Sequence, residues 1–305
     1  MLDRTVCPLT GSDRLHEAVR VPYDQGVLGA WSRERSYPRL LQGRDFVVRE
    51  NPEIGFWFQE GVLDEREMVQ GSSATAERMS EAERFRLFTL RELSHRAEDA
   101  ILVRLLHRGS GRPKVFDFGM STGEWLLLAQ AYGAEAWGTD IDPRSADVCR
   151  RHGMRFVTLE DAPEDTFDFI NADQVVEHLA DPLGAVRSLA SKLARGGILK
   201  LTVPGDRKIR AKLGRLAAGG YDPGDVPGFL REFEGLSPLC HINLFTARSL
   251  VELGTRAGLR PFRIPLGTSY GAMTGFFSGK QWNRNLLHPW KRHRARGTWQ
   301  FFVRD

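Results

Sequence analysis

The sequence predicts an α/β fold, a doubly wound, mostly parallel sheet of seven strands behind an irregular N-terminal extension. Three observations carry this expectation. From Lys114 onward, short apolar runs alternate with amphipathic stretches, and repeated strand–helix–strand units imply a parallel sheet covered on both faces. One of those runs, Val115 to Phe118, passes through a glycine-bearing turn straight into a helical pattern, as at a ligand site on the carboxyl edge of such a sheet. Finally, 41% apolar residues, before counting 31 glycines in 305 positions, supply an ordinary globular core.

Residues 1–72 show scattered Pro, Gly and Arg, frequent aromatics (Trp31, Tyr37, Phe46, Phe56, Trp57, Phe58) and little periodicity. Short strands are expected there at 44–49 and Phe56–Gln59. Residues 80–107 read as one long helix, with Phe85, Phe88, Leu93, Ala97, Ile101 and Leu105 at helical spacing. Gly109, Gly111 and Pro113 stop it, so 73–111 forms a helical linker to a domain at 112–305. In that domain the expected order is strand 114–118, helix 124–132, strand 134–141, helix 144–152, strand 154–159 and strand 167–172. Helix 182–193 follows, with Asp181 as N-cap and Pro182 at its first position. Strand 198–204, helix 246–257 between Thr246 and Gly258, and strands 259–265 and 298–303 complete it. Two insertions interrupt the pattern. Residues 204–240 are Gly- and Pro-rich and are expected to be a lid. Residues 270–297 carry Lys280, Arg284, Lys291, Arg292, Arg294 and Arg296 beside Trp282 and Trp290 and are expected to be a solvated basic loop.

A net charge of +4 is weak for this length and disfavours a dedicated nucleic-acid binder. Cys7, Cys149 and Cys240 are far apart, which excludes a disulfide framework or a cysteine-rich zinc module. No stretch approaches a membrane span, and the first residues lack an apolar secretory core, so a soluble cytoplasmic protein is expected.

The functional signal lies at VFDFGMSTGEW. Gly119 and Gly123 permit close backbone approach to a ligand. Asp140, 21 positions after Gly119, falls at the end of the second strand, where a carboxylate can accept both hydroxyls of an adenosine ribose. A dinucleotide fingerprint would need G-x-G-x-x-G, whereas here Ser121 and Glu124 intervene. Glu124 near the helix start would also repel a pyrophosphate. An adenosine cofactor without phosphate fits better.

Here the chain resembles the class I S-adenosylmethionine-dependent methyltransferases. The resemblance covers about 112–305 and rests on VFDFGMSTG, GTDIDP, the stretch FDFINADQVVEHLADPLGAVRSLASKLARGGILKLTVP, and HINLFTARSLVELGTRAGL. The last of these is similar to the subgroup that includes ubiquinone-pathway O-methyltransferases. The resemblance implies a Rossmann-like methyltransferase sheet and S-adenosyl-L-methionine as cofactor. It implies Asp117 at the methionine ammonium and Gly119, Met120, Ser121 and Gly123 along the methionine part. It places Asp140 on the ribose, Ile141 on the adenine, Asp161 with Ala162 at the adenine edge, and Asp173 toward the sulfonium. Ser121 departs from the family's glycine at the middle of the loop.

Methyl transfer needs orientation above all, and a hydroxyl acceptor also needs a base. His178 and His241 are the candidates, by their ordinary pKa. Relatives can hold a divalent metal with a Glu-x-x-Glu-His segment and a later histidine. Here Gln174 precedes Glu177 and His178, so no metal is expected. CPLTGS at 7–12 resembles the start of a zinc-ribbon-like segment found ahead of other methyltransferases, but Thr10 stands where its second cysteine belongs. The expected activity is methyl transfer to a hydroxyl of a small molecule or glycan, anionic if the basic insertion touches it. The alternatives are an RNA methyltransferase using that insertion and a non-catalytic cofactor-binding scaffold.

Overall fold

The computed structural model describes residues 1–34, 38–63, 90–107, 109, 111–205, 208–274, 282–294 and 297–305. The chain divides into two compact units.

The larger unit comprises Val69–Val175, Gly184–Thr202 and Gly254–Asp305. Its seven strands lie in the order Arg260–Pro261, Trp299–Val303, Leu193–Thr202, Phe167–Asp173, Lys114–Phe118, Glu135–Thr139, Arg155–Phe156. The pairings from Leu193–Thr202 across to Arg155–Phe156 are parallel, and Trp299–Val303 runs antiparallel to both its neighbours. This is the doubly wound, mostly parallel sheet that the alternation predicts. The chain winds outward from Lys114–Phe118 in one direction, then returns to Phe167–Asp173 and winds in the other. The strand order therefore reverses between those two strands, and their carboxyl ends open the crevice where such sheets bind ligands. Val115, Phe116, Phe169, Ile170, Leu199 and Leu201 are all buried, so both faces of the central strands are covered. Each such side chain contributes about 1.5–3 kcal/mol by leaving water.

The helix Leu90–Leu106 places Ala100, Leu102 and Val103 in one cluster with Trp125, Leu126 and Ala129. The expected helical residues 80–89 lie outside the described residues. Two strands are much shorter than expected: 154–159 reduces to Arg155–Phe156 at the sheet edge, and 259–265 to Arg260–Pro261. The basic insertion is not a loop throughout. It contains the helix Trp282–Arg294, and Leu266–Gly271 precedes it as a short helix. Pro289 within the longer helix turns its carbonyl to the Ser269 hydroxyl at 3.0 Å. Arg292, read as part of a solvated charge run, is only 4% exposed and pairs with Asp99 at 3.0 Å.

The smaller unit comprises Met1–Met68, Val176–Leu183 and Val203–Leu253. Its sheet has four antiparallel strands in the order Asn243–Leu244, Phe56–Gln59, Asp45–Asn51, His16–Pro22. Within the extension expected to be irregular at 1–72, the described residues 1–34 and 38–63 thus contribute regular structure, and the strand expected at Phe56–Gln59 is present. Every residue of Phe56–Gln59 is buried, so the polar–apolar alternation that announces a half-buried strand is missing. The lid expected at 204–240 is also corrected. It forms the helices Ile209–Ala217 and Val226–Glu232 and the turn Glu234–Leu236. Leu213, Phe229, Phe233 and Leu236 are buried in one cluster with Tyr23, Trp31, Phe46 and Trp57. Asp225 caps the second helix by accepting the Gly228 N–H at 2.9 Å. Cys7 is buried and unbridged, and its carbonyl closes a turn by accepting the Gly11 N–H at 2.8 Å. No described helix is long and apolar enough to cross a membrane.

Candidate active site

In the larger unit the turn after Lys114–Phe118 builds the first part of the site. Gly119 has φ +81°, and a Cβ there would lie 2.4 Å from Val175 Cγ2, so only glycine fits. The N–H groups of Gly119 and Met120 both donate to the Thr139 carbonyl, at 2.9 Å each, which ties the turn to the neighbouring strand end. Met120 buries its side chain, with Sδ 3.5 Å from Cys149 Sγ, so its thioether points into the core. Ser121 adopts φ 53°, a left-handed conformation that glycine would take without strain. Its N–H donates to Asp140 Oδ2 at 2.8 Å, and its carbonyl accepts the Ser145 hydroxyl at 2.7 Å. Gly123, at φ 76°, closes the turn ahead of the helix Glu124–Ala131. Thr122 donates to the buried Glu124 carboxylate.

Asp140 is braced on its other oxygen, where the Asp142 N–H donates at 2.8 Å. A carboxylate has about four lone-pair positions, so two bonds leave acceptor capacity for a ligand. Ile141 beside it is 46% exposed, a large apolar side chain held in water at the strand's end. Asp161 is exposed and accepts the Thr158 hydroxyl at 2.9 Å. The Ala162 N–H already donates to the Thr158 carbonyl at 3.0 Å. The expected contact of the Ala162 backbone with an adenine edge therefore loses its donor to a local turn. Asp173, exposed at the end of its strand, accepts the Thr202 hydroxyl.

Asp117 is the most perturbed group of the set. It is 4% exposed, and Asn171 Nδ2 donates to its Oδ1 at 2.8 Å. Burial pushes its carboxyl up to about 7; the Asn171 bond opposes this, and the charges of Asp173 and Asp140 add to it. Behind Asn171 stands Lys200, fully enclosed in its strand, which donates to Asn171 Oδ1 at 3.1 Å and to Asp99 Oδ2 at 2.6 Å. The lysine fixes the amide's orientation, because an ammonium donates only to the oxygen, leaving the amide N–H for Asp117. The sequence reading missed Asn171 and Lys200. Each is a polar residue with apolar neighbours on both sides, Ile170 and Ala172 around Asn171 and Leu199 and Leu201 around Lys200, and that was the available signal.

In the smaller unit the two candidate histidines come together. The rings of His178 and His241 stand edge to face with centroids 4.6 Å apart. His178 Nδ1 lies 3.0 Å from the Cys240 carbonyl. A carbonyl only accepts, so in that bond the ring donates from Nδ1 and the lone pair sits on Nε2. Burial first, and the neighbouring His241 second, lower His178 to about 4, with the bond to the Cys240 carbonyl opposing them. The near-neutral basicity expected of His178 is therefore corrected. Glu177, weighed as its companion ligand, is fully buried. Cys240, a residue without an expected role, sits with the histidines instead, its Sγ 3.9 Å from His178 Nδ1.

A family model described as a methyltransferase domain matches residues 82–262, more than half of the chain. The chain belongs to this family, and its fold and cofactor are those of the class I S-adenosylmethionine-dependent methyltransferases. A ubiquinone biosynthesis O-methyltransferase of Xanthomonas campestris pv. campestris (strain B100) is 31% identical over 103 residues, which cover 29% of this chain and 42% of that protein. The protein of the same description from Idiomarina loihiensis is 28% identical over 128 residues, 37% of this chain and 51% of its own length. The chain thus spans about half or less of the curated relatives it matches. Among solved structures, Burkholderia thailandensis 1,6-didemethyltoxoflavin-N1-methyltransferase with bound 1,6-didemethyltoxoflavin and S-adenosylhomocysteine matches at 15% identity and a TM-score of 0.46. That match covers 84% of this chain and 97% of the other.

Proposed function

We propose that this protein transfers a methyl group from S-adenosylmethionine to a hydroxyl oxygen of a small molecule or glycan. The observation that carries the reading is an acidic rim at the switch point of the sheet. Asp117, Asp140 and Asp173 lie close enough for the latter two to raise the first. Such a rim favours a cationic ligand and disfavours a pyrophosphate. S-adenosylmethionine carries an ammonium and a sulfonium, and the sulfonium supplies the methyl group. In this reading Asp117 holds the ammonium, and Gly119, Ser121, Gly123 and the Met120 backbone line the methionine part. Asp140 takes the ribose hydroxyls on its remaining lone pairs, Ile141 covers the adenine, and Asp161 and Ala162 flank it. Asp173 faces the sulfonium.

On the acceptor side we assign His178 and His241. Both curated relatives described above are named O-methyltransferases, which supports oxygen as the receiving atom. The exposed Lys291 and Arg294 suit an acceptor with an anionic group. The test has two stages. Calorimetry with S-adenosylmethionine and S-adenosylhomocysteine is expected to show one site per chain. Labelled methyl transfer is then measured against a panel of phenols, sugars, amines and RNA. No binding of either cofactor form overturns the reading, and transfer confined to amines or RNA overturns its acceptor.

A further inference from the structure

We propose that His178, Cys240 and His241 form a site for a borderline-soft divalent cation, Zn²⁺ foremost, with one coordination position open. This goes beyond the transfer reading and stands on the smaller unit by itself. A ring nitrogen of each histidine and the Cys240 sulfur all lie within 4.8 Å of one another. Two imidazoles and a thiolate form a donor set that selects zinc-like ions, whereas Mg²⁺ and Ca²⁺ want carboxylates and carbonyls. It also differs from the carboxylate set that the Glu-x-x-Glu-His pattern brings to mind, because Glu177 lies outside the group.

The two segments that bring the ligands are each held by a buried polar residue, Asn243 for one and Gln59 for the other. The Asn243 amide donates to the Val176 carbonyl at 3.1 Å and the Leu179 carbonyl at 2.7 Å, on either side of His178. The Gln59 amide donates to the carbonyls of Ser237 at 2.8 Å and His241 at 3.0 Å, and accepts the Leu239 N–H at 2.9 Å. Arg4 joins the two clamps, donating to Asn243 Oδ1 at 2.7 Å, to the Gln59 carbonyl at 2.7 Å and to the Ile242 carbonyl at 2.9 Å. Leu239, directly before Cys240, is held at φ 55°. A non-glycine residue is strained there and persists where its surroundings enforce it, as at ligand clamps. The Nδ1 bond from His178 to the Cys240 carbonyl fixes its ring, as outer-shell bonds do for metal-bound histidines. Cys240 is exposed, which gives an ion a way in. Three protein ligands with an open position are the pattern of reactive rather than structural zinc. An oxygen ligand in that position, water or a hydroxyl, would lose its proton more readily. A second trio among the described residues, His95, Glu98 and His288, already has the Arg292 guanidinium 3.7 Å from the Glu98 carboxylate, so a positive charge competes with an ion for that oxygen.

The experiment uses tag-free full chain, stripped with a chelator and dialysed. Zn²⁺ is titrated with elemental analysis as the readout, and Co²⁺ serves as a spectroscopic probe. We expect one zinc per chain and a thiolate-to-cobalt charge-transfer band. Because outer-shell changes already cost about 10–100-fold, losing a ligand in Cys240→Ser or His241→Ala is expected to weaken binding by about 100-fold or more. The band should vanish in Cys240→Ser, whose fold is checked by circular dichroism. Wild-type chain that takes up no zinc, a cobalt complex without the thiolate band, or unchanged binding in Cys240→Ser overturns the site. S-adenosylhomocysteine binding on the same samples separates the two readings. Lost zinc with normal cofactor binding refutes the metal site, and zinc without cofactor binding refutes the transferase reading.

Discussion

Cofactor affinity should depend on pH through Asp117. Its carboxyl is pushed up to about 7, first by burial and then by the nearby Asp173 and Asp140 charges, with the Asn171 bond opposing. An ammonium needs the ionised form. At about pH 7.5 roughly three quarters of the chains carry that form, and at about pH 5.5 roughly 3% do, so affinity should fall about 25-fold between them. Binding in the acid range should release close to one proton, because the ligand's positive charge stabilises the carboxylate. The sign for folding follows from the same linkage. The unliganded native state holds a proton that the unfolded chain has lost between about pH 4 and about pH 7. This group's contribution to stability therefore declines as pH rises through that window and levels off above it. The assay is calorimetry with S-adenosylhomocysteine in two buffers of different ionisation enthalpy, with Asp117→Asn as the control. A dissociation constant that is flat over the range, or a wild-type slope in Asp117→Asn, would refute the assignment of Asp117 to the ammonium.

Four further outcomes are expected. Lys200→Met removes the group that orients Asn171 and a positive charge that lowers Asp117, so the affinity–pH curve should move to higher pH; an unmoved curve in a folded variant counts against this. Asp140→Ala should weaken cofactor binding by about 2–3 kcal/mol, the scale for hydrogen bonds to a charged group, as measured by calorimetry on protein whose fold is confirmed. Gly119→Ala forces a Cβ against Val175 at positive φ and should lower stability by about 1–3 kcal/mol in thermal or denaturant unfolding. His178→Ala should lower turnover about 10²–10⁴-fold with cofactor affinity kept, and unchanged turnover removes His178 from the acceptor side.

The parts of the site that were legible in the sequence are local. A strand, a turn and a helix within eleven residues reveal the Gly119–Gly123 loop, the end of the second strand marks Asp140, and Asp173 comes only with the family resemblance. What was hidden depends on partners far away in the chain. Asn243–Leu244 becomes a sheet strand by pairing with Phe56–Gln59, and its short buried run has no period of its own. Cys240 meets His178, 62 positions earlier, and Leu239 just before it is held by Gln59, 180 positions earlier. The helices within 204–240 were masked by glycines and prolines that lie largely at their ends, where breakers belong.

Ser121 bears directly on the scaffold alternative, because it replaces a glycine of the cofactor loop. A decayed site would be expected to relax once the conformation no longer served a ligand. Ser121 instead keeps φ 53°, which a non-glycine residue adopts at a cost of about 1 kcal/mol or more. Two contacts hold it there, its N–H on Asp140 and its carbonyl on the Ser145 hydroxyl. Both contacts come from beyond the second strand's end, and one of them is the carboxylate proposed for the ribose. The serine thus occupies the glycine's backbone geometry, and Asp140 is aimed by the loop it helps to strain. Gly119 retains a position that no side chain can share with Val175, and the acidic rim keeps all three carboxylates. In the proposed reading, a ligand with two positive charges and a ribose gives one physical reason for both the buried Asp117 carboxyl and the strained turn.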